Sequence, residues 1–323
     1  MRIAIYHPTT LLGKELRERV GDIPALAGDI QLLSTRADEV GMLTDVAASA
    51  GIVVRVEDTL PASDIAFFCG TIEETRALLP KLDEKTTAIV LSPGASVEDG
   101  MPIVSGVNLE QARSGSVLVS PHAGAVALAR LLHPFGAGVR SVAATILLPV
   151  SGLEEAALHE LFEQTRSILA FAAPPPSPVL GGQLAFNVVQ GRDVAAEVVD
   201  PLVAVLGPQV EISVQTLLGG VFHGVAVSAY VRLDDAADPA RLRAALAGAP
   251  DVELRASEGL RNAAGAKPVV RLGPIDAAQS ERLLVGELRP DPRHPGAYWV
   301  WATLDNLTAG GALNAIAIAS AVV

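Results

Sequence analysis

The first 135 residues alternate short apolar runs with amphipathic stretches. Arg2 to Tyr6, Ile30 to Leu33, Ile52 to Val56, Ile65 to Phe68, Ala88 to Leu91 and Val117 to Val119 read as buried strands. Leu11 to Val20 and Ile72 to Leu82 space their apolar residues at helical intervals. Short apolar strands alternating with helices predict a parallel sheet covered on both faces.

Beyond residue 135 the pattern changes. Val142 to Leu148, Val210 to Leu218, Val221 to Leu233, Arg282 to Leu288 and Tyr298 to Leu304 are longer strand-like runs. One strong helix lies among them, "SGLEEAALHELFEQTRSILAF", with Leu153, Ala157, Leu158, Leu161 and Ile168 on its apolar face. Ser151 and Glu154 have the spacing of a capping box at its start. The proline stretch "AAPPPSP" ends it. A second helix is expected over "DPARLRAALAGA", and the closing "AGGALNAIAIASAVV" reads as helical and able to return to the first domain. Long strands with few helices predict an α+β second domain with an antiparallel sheet.

Composition narrows the function classes. The 323 residues are about twice a usual domain, so two domains are expected. A net charge of −12 and four lysines (Lys14, Lys81, Lys85 and Lys267) argue against a nucleic-acid partner. The single cysteine, Cys69, excludes an internal disulfide and a cysteine-rich metal site. It reads as a buried small hydrophobe. The most apolar stretches, "AATILLPV" and "ALNAIAIASAVV", are too short to span a bilayer, and "MRIAIYHPTT" is too short an apolar run for a signal peptide. A cytoplasmic protein without a membrane partner is the expectation. No metal site is expected either, since His7, His133, His159 and His294 have no ligand spacing and read as structural or exposed.

Two turns are candidates for chemistry. The first follows the opening strand, in "YHPTTLLGKEL", where a dinucleotide cradle would place glycines at 7, 10 and 13. Only Gly13 is present; His7 and Thr10 fill the other two places, and Pro8 removes a backbone donor. Thr9 or Thr10 suits a helix cap. Ser34 and Arg36 stand where an adenosine ribose or its phosphate would be met. The second turn is Ser120-Pro121-His122-Ala123, where an apolar strand meets an Ala-rich helix. A helix start favours a thiolate or alkoxide, but the residue there is Ala123. Ser120 and His122 flank the turn, and with His223 they offer a replacement Ser–His pair for a hydrolase or acyltransferase, which would need hydrogen-bond contact and an orienting third group.

The chain resembles the aspartate-semialdehyde dehydrogenase family in several ordered segments. "DNLTAGGALNAIAIA" at 305–319 resembles the family's closing segment, and "DIAFFCG" at 64–70 its strand beside the cofactor. "PVSG" at 149–152 and "LAFNVV" at 184–189 are similar to two further family segments. The resemblance covers nearly the whole chain. It implies an N-terminal Rossmann-like NAD(P)-binding domain over 1–122, completed by the helix 306–323. It implies a catalytic and dimerisation domain over 123–305, with a large, mostly antiparallel sheet, and a homodimer. It also implies reductive dephosphorylation of an acyl phosphate through a cysteine thioester.

Carried over residue by residue, the family's scaffold is kept and its chemistry is not. The nucleophile falls on Ala123, which cannot form a covalent intermediate. The acid/base histidine falls on His223, although Phe222 replaces the glycine before it. The carboxylate-binding arginine falls on Thr216, a glutamine on Leu148 and the phosphate-binding arginine on Val97. No lysine lies between Lys85 and Lys267 to match the substrate-facing one. Thr9, Thr10, Gly13, Ser34, Arg36, Cys69, Gly70 and Asn306 are the positions that would meet NADP or NAD if either bound; no cofactor is the expectation. The reading is a catalytically degenerate homologue that binds or regulates as a homodimer, or by association with an active relative. An NAD(P)-dependent oxidoreductase acting on an aldehyde or acyl substrate, in amino-acid biosynthesis, is the alternative.

Overall fold

The computed structural model describes residues 1–26, 28–46, 49–255 and 272–323. The chain divides into two compact units. The first comprises Met1–Ala125, Ala196–Val205 and Gly310–Val323; the second comprises Val126–Ala195 and Leu206–Ala309. Residues 196–205 join the first unit although nothing in the hydrophobic pattern sets them apart from the segment around them.

The first unit holds an eight-stranded sheet. Its strands are β1 (Arg2–Tyr6), β2 (Asp29–Ser34), β3 (Leu43–Val46), β4 (Ser49–Arg55), β5 (Ile65–Phe68), β6 (Thr87–Val90), β7 (Met101–Pro102) and β8 (Val117–Val119). They lie in the order β3-β4-β2-β1-β5-β6-β8-β7, and every pairing is parallel except β3 with β4. Strands sealed on both faces read as continuous apolar runs, because neither side-chain row meets water. In β1, Ile3 and Ile5 enter one core and Ala4 and Tyr6 the other; β5 divides the same way, Ile65 and Phe67 against Ala66 and Phe68. Tyr6 and Phe68 are register partners whose rings stack at 4.6 Å.

Helix α1 (Leu11–Val20) follows β1, and α2 (Ile72–Leu78) follows β5. The helical stretch expected to reach Leu82 leaves the α-geometry at Leu79, where Pro80 makes the next turn a 3₁₀ helix. The β3–β4 hairpin is an addition that the single strand over 52–56 did not foresee. The closing helix, Leu313–Ala321, brings Ala315, Ile316, Ile318 and Ala319 into the same core as Ile3, Ile5 and Phe67.

A buried carboxamide ties that closing helix to the sheet. Asn314 is fully buried; its Oδ1 accepts from the Ser105 N–H at 2.8 Å, and its Nδ2 donates to the Ile103 carbonyl and to Ser120 Oγ at 3.0 and 2.9 Å.

The second unit contains a seven-stranded mixed sheet in the order β10-β11-β9-β12-β15-β14-β13. The strands are β9 (Val139–Leu148), β10 (Val188–Gln190), β11 (Glu211–Gly219), β12 (Val225–Leu233), β13 (Val252–Leu254), β14 (Leu283–Pro290) and β15 (Ala297–Leu304). β9 pairs β11, and β13 pairs β14, in parallel; the other pairings are antiparallel. The run expected to be strand from Val221 begins pairing only at Val225, because Gly224 turns the backbone to φ +87°.

Helix α3 is Ala123–Leu132 and α4 is Glu154–Leu169. The expected capping box of α4 does not form. Residues Val150–Leu153 make a 3₁₀ turn, Leu153 takes the cap position without a side-chain bond, and Ser151 Oγ bonds Asn306 Oδ1 instead at 3.2 Å. A distant partner has displaced the local one. The apolar face of α4 matches expectation: Ala157 and Leu161 are buried with Val150, Leu184 and Ala185, and Leu153, Leu158 and Ile168 pack beside them. Among the described residues, no helix is long and apolar enough to cross a membrane.

Replacing Asn314 by Ala is expected to destabilise the first unit by about 2–4 kcal/mol, since the buried groups at Ser105 and Ile103 lose their partner. Urea unfolding followed by circular dichroism measures this; a loss below about 0.5 kcal/mol would mean that the carboxamide is not the tie.

Candidate functional site

In the first unit, the strand order reverses at β1: β2 lies on one side of it, and β5 on the other. The crevice beyond the carboxyl ends of such a pair is where open α/β sheets receive ligands. Most of the residues proposed from the sequence for a cofactor gather here.

His7 leaves the end of β1 with φ +57°, a left-handed conformation uncommon outside glycine. It therefore takes the backbone conformation of the missing first glycine and adds a side chain. Thr10, at the second glycine place, has an ordinary φ of −59° and caps α1 by accepting from the Gly13 N–H at 3.1 Å. Thr10 Oγ1 also donates to the His7 carbonyl at 3.1 Å, and Thr9 is half-buried in the turn.

The imidazole of His7 is fully buried. Its Nε2 lies 2.8 Å from Thr35 Oγ1 and 3.7 Å from Glu74 Oε1. Arg36 grips Glu74 with two bonds, Nε to Oε1 at 2.8 Å and Nη2 to Oε2 at 2.7 Å, and its Nη1 bonds Glu39 Oε1 at 3.1 Å. Ser34 Oγ accepts from the Arg36 N–H at 3.0 Å. Glu74 in turn caps α2, accepting from the Thr71 N–H while Thr71 Oγ1 accepts from the Glu74 N–H. Arg36 holds the Glu74 carboxyl well down, at about 2. Burial pushes the His7 imidazole below its usual range, outweighing the pull of Glu74.

The glycines test whether a dinucleotide fits. A glycine in a phosphate cradle leaves its Cβ space to the ligand. A Cβ on Gly70 would meet His7 Nδ1 and Glu74 Oε2, so that space is filled by the protein itself. A Cβ on Gly13 would lie 2.7 Å from the His7 carbonyl oxygen, the close helix–strand packing that the third glycine of such a cradle allows. A ribose 2′-phosphate at Arg36 would also meet the carboxylates of Glu39 and Glu74. These residues do not fit NADP held in the ordinary way. Cys69 is buried in the hydrophobic core, as expected.

The second turn is also in the first unit. Ala123 opens α3 and is buried. His122 Nδ1 accepts from the Gly124 N–H at 3.0 Å, so this nitrogen caps the helix. Ser120 Oγ accepts from Asn314. Each of the two residues proposed as a replacement pair thus serves a structural bond.

In the second unit the structure brings His223 and Asn306 together, although the sequence reading assigned them to different tasks. His223 is half-buried in the loop between β11 and β12. That loop is fixed by bonds from the Val150 N–H to the Val221 carbonyl and from the Ser151 N–H to the Phe222 carbonyl, at 2.8 and 3.0 Å. Asn306 Oδ1 accepts from the Gly224 N–H at 2.9 Å, and its Nδ2 bonds Ser151 Oγ at 3.0 Å. Asn306 therefore stands with the His223 loop. Thr216 is buried on β11 and donates to the Arg192 carbonyl; Leu148 is buried, while Val97 is exposed. Lys267 lies outside the described residues. Among these residues, no cluster of three or more His, Cys, Asp or Glu could hold a metal ion.

Comparison with known proteins bears on the whole chain. It matches no protein-family model. It is 31% identical over 244 residues to a USG-1 protein homolog of Azotobacter vinelandii, covering 71% of this chain and 69% of that one. It is 26% identical over 274 residues to an aspartate-semialdehyde dehydrogenase of Rickettsia conorii, covering 79% of this chain and 78% of the relative. Among solved structures, a probable aspartate-semialdehyde dehydrogenase from Pseudomonas aeruginosa superposes with a TM-score of 0.86 at 23% identity, over 99% of this chain and 97% of that chain. The chain belongs to the aspartate-semialdehyde dehydrogenase family. The full-length likeness accounts for the family's two-sheet architecture here.

The residues of this family member that sequence reading missed are Thr35, Glu39 and Glu74, together with the burial of His7. Thr71-Ile72-Glu73-Glu74 carries the signature of a capping box, which was a legible signal for Glu74. Its pairing with Arg36, across 38 residues, had no such signal.

Acid should loosen this cluster in two steps. The His7 pKa is lowered on folding, so its contribution is complete above about 6.5 and is lost as pH falls below that value. The Glu74 pKa is also lowered, so its contribution is lost as pH falls from about 4.3 towards 2. Thermal unfolding between pH 7 and pH 5 should show a falling Tm in the wild type and a flatter profile in His7→Asn. Equal slopes would show that His7 is not held neutral.

Proposed function

We propose that this family member keeps the architecture of an aspartate-semialdehyde dehydrogenase without its reaction, and works as a dimeric binding or regulatory protein. The carrying observation is the methyl group of Ala123 at the start of α3, where the family resemblance requires a sulfur nucleophile. A thioester cannot form there. The positions that would grip an anionic acyl phosphate point the same way. Thr216, Leu148 and Val97 stand where the resemblance implies arginine, glutamine and arginine, and anion recognition by bidentate arginine has no neutral substitute of equal strength. His223 keeps the acid/base position, but with no covalent adduct to act on.

The activity test is direct. Wild-type protein, with NADP, phosphate and aspartate semialdehyde, should show no reduction of the cofactor above background. Ala123→Cys should stay at background too, because one thiol does not supply the missing cationic groups. Phosphate-dependent turnover in either protein would falsify this reading.

The likeness of the whole chain to dehydrogenases favours a second reading, an NAD(P)-dependent oxidoreductase on an aldehyde or acyl substrate. Family membership implies NADP for it. Binding of NADP or NAD to the wild type below about 100 μM, about −5.5 kcal/mol, would select this alternative.

The partner proposed is a second copy of this chain, with association with an active relative as the other outcome. Support comes from one face of the second sheet. Tyr230, Trp299 and Arg289 stand in one cross-strand row there, and Ser228, Trp301 and Glu287 in the next. Trp299 is 36% exposed and packs on Tyr230 at 4.9 Å, with Arg289 over its ring. Glu211 and Arg232 give the same face both signs of charge, which suits a self-complementary two-fold contact. Light scattering should give a dimer for the wild type and a monomer for Trp299→Glu. A monomeric wild type would remove the dimer.

A further inference from the structure

The crevice between the ends of β1 and β5 has an occupant made by the chain itself. His7 supplies it. Its imidazole fills the space above Gly70, and its backbone takes the left-handed turn that the missing first glycine would take. Thr35 bonds the ring from the end of β2, and Glu74 stands beside it from α2. Glu74 is immobilised twice over, by its two bonds to Arg36 and by its capping bonds to Thr71. The ring is thus walled by groups that are themselves fixed. Its Nδ1 is buried without a partner among the described residues, which costs free energy and marks an imperfect fit of the chain to its own crevice.

The outer end of the same crevice has a definite chemistry. Three donors of Arg36 are committed to Glu74 and Glu39. Glu39 is 5% exposed, and its Oε2 has no partner among the described residues. Carboxylates near the end of the second strand accept from ribose hydroxyls, whereas a phosphate on that ribose would be repelled by them.

We infer that His7 is an intramolecular plug in a dinucleotide crevice, and that removing this one side chain opens the crevice to NAD in preference to NADP. This rests on the reading above that the native protein works without a dinucleotide. It goes further in naming the residue that closes the site and the cofactor charge that the opened site selects.

Glycine and asparagine both tolerate the left-handed turn at position 7, so His7→Gly and His7→Asn keep the backbone and shorten or remove the ring. Isothermal titration of the wild type and both variants with NAD and with NADP, on protein shown to be folded by circular dichroism, tests the inference. Expected are no binding of either by the wild type, binding of NAD to His7→Gly with a Kd below about 1 mM, and binding of NADP at least about tenfold weaker. A folded His7→Gly that binds neither overturns the plug and leaves the proposed function standing. A variant that prefers NADP overturns the assignment of Glu39 and Glu74. Binding by the wild type itself overturns both the plug and the cofactor-free reading. Should neither variant fold, diethylpyrocarbonate labelling of the wild type decides: the plug requires His7 to stay unmodified while the exposed His294 reacts, and modification of His7 in folded protein overturns it.

Discussion

The chain must turn at the end of β1, and how it turns governs the first unit. The helix that follows has to come back against the sheet, which calls for one residue in a left-handed conformation. Here that residue is His7. A left-handed non-glycine residue costs about 1–2 kcal/mol. The cost is offset because the ring is buried in the space that Gly70 leaves and hydrogen-bonds Thr35. Gly13 then allows α1 to lie directly on the turn, where any Cβ would strike the His7 carbonyl. Turn, helix packing and the filling of the crevice are one arrangement.

The same arrangement sets the electrostatics. Arg36 is placed by β2 and Glu74 by α2, and their two-bond pairing matches the charges at the outer end of the crevice. A partly buried arginine gripped by two carboxylates has little left to offer an incoming phosphate. A protein built to exchange a phosphorylated cofactor needs the reverse, a cation kept ready. The crevice and the second turn agree in this respect. At the second turn Ala123 offers no nucleophile, His122 caps a helix, and Ser120 belongs to the Asn314 network.

In the second unit, a few polar bonds hold the loop that carries His223. Asn306, Ser151 and Gly224 form a small hydrogen-bonded set that fixes the loop carrying His223. Together they tie that loop to the turn before α4 and to the end of β15. The persistence of the His223 loop is therefore explained by folding as readily as by catalysis. On one face of the second sheet, Trp299 stays partly exposed beside Tyr230 and Arg289, while Trp301 donates to the Leu272 carbonyl.

What the sequence determined by itself was the architecture. Apolar runs without alternation at Ile3 to Tyr6 and Ile65 to Phe68 required burial on both faces, and that alone implied a parallel, doubly covered sheet. The absence of a thiol at position 123 and the loss of two cradle glycines were equally plain, since they are statements about residue identity. Tertiary structure decided everything that depends on partners far apart in the chain. It took Ser151 from the helix it was expected to cap and gave it to Asn306, 155 residues away. It joined Asn306 to the loop that carries His223, through the Gly224 N–H, 82 residues away. It paired Arg36 with Glu74, 38 residues away. Local patterns record which face of a segment is buried, because that depends on spacing alone. They do not record which two polar groups meet, because that depends on where the rest of the chain has gone.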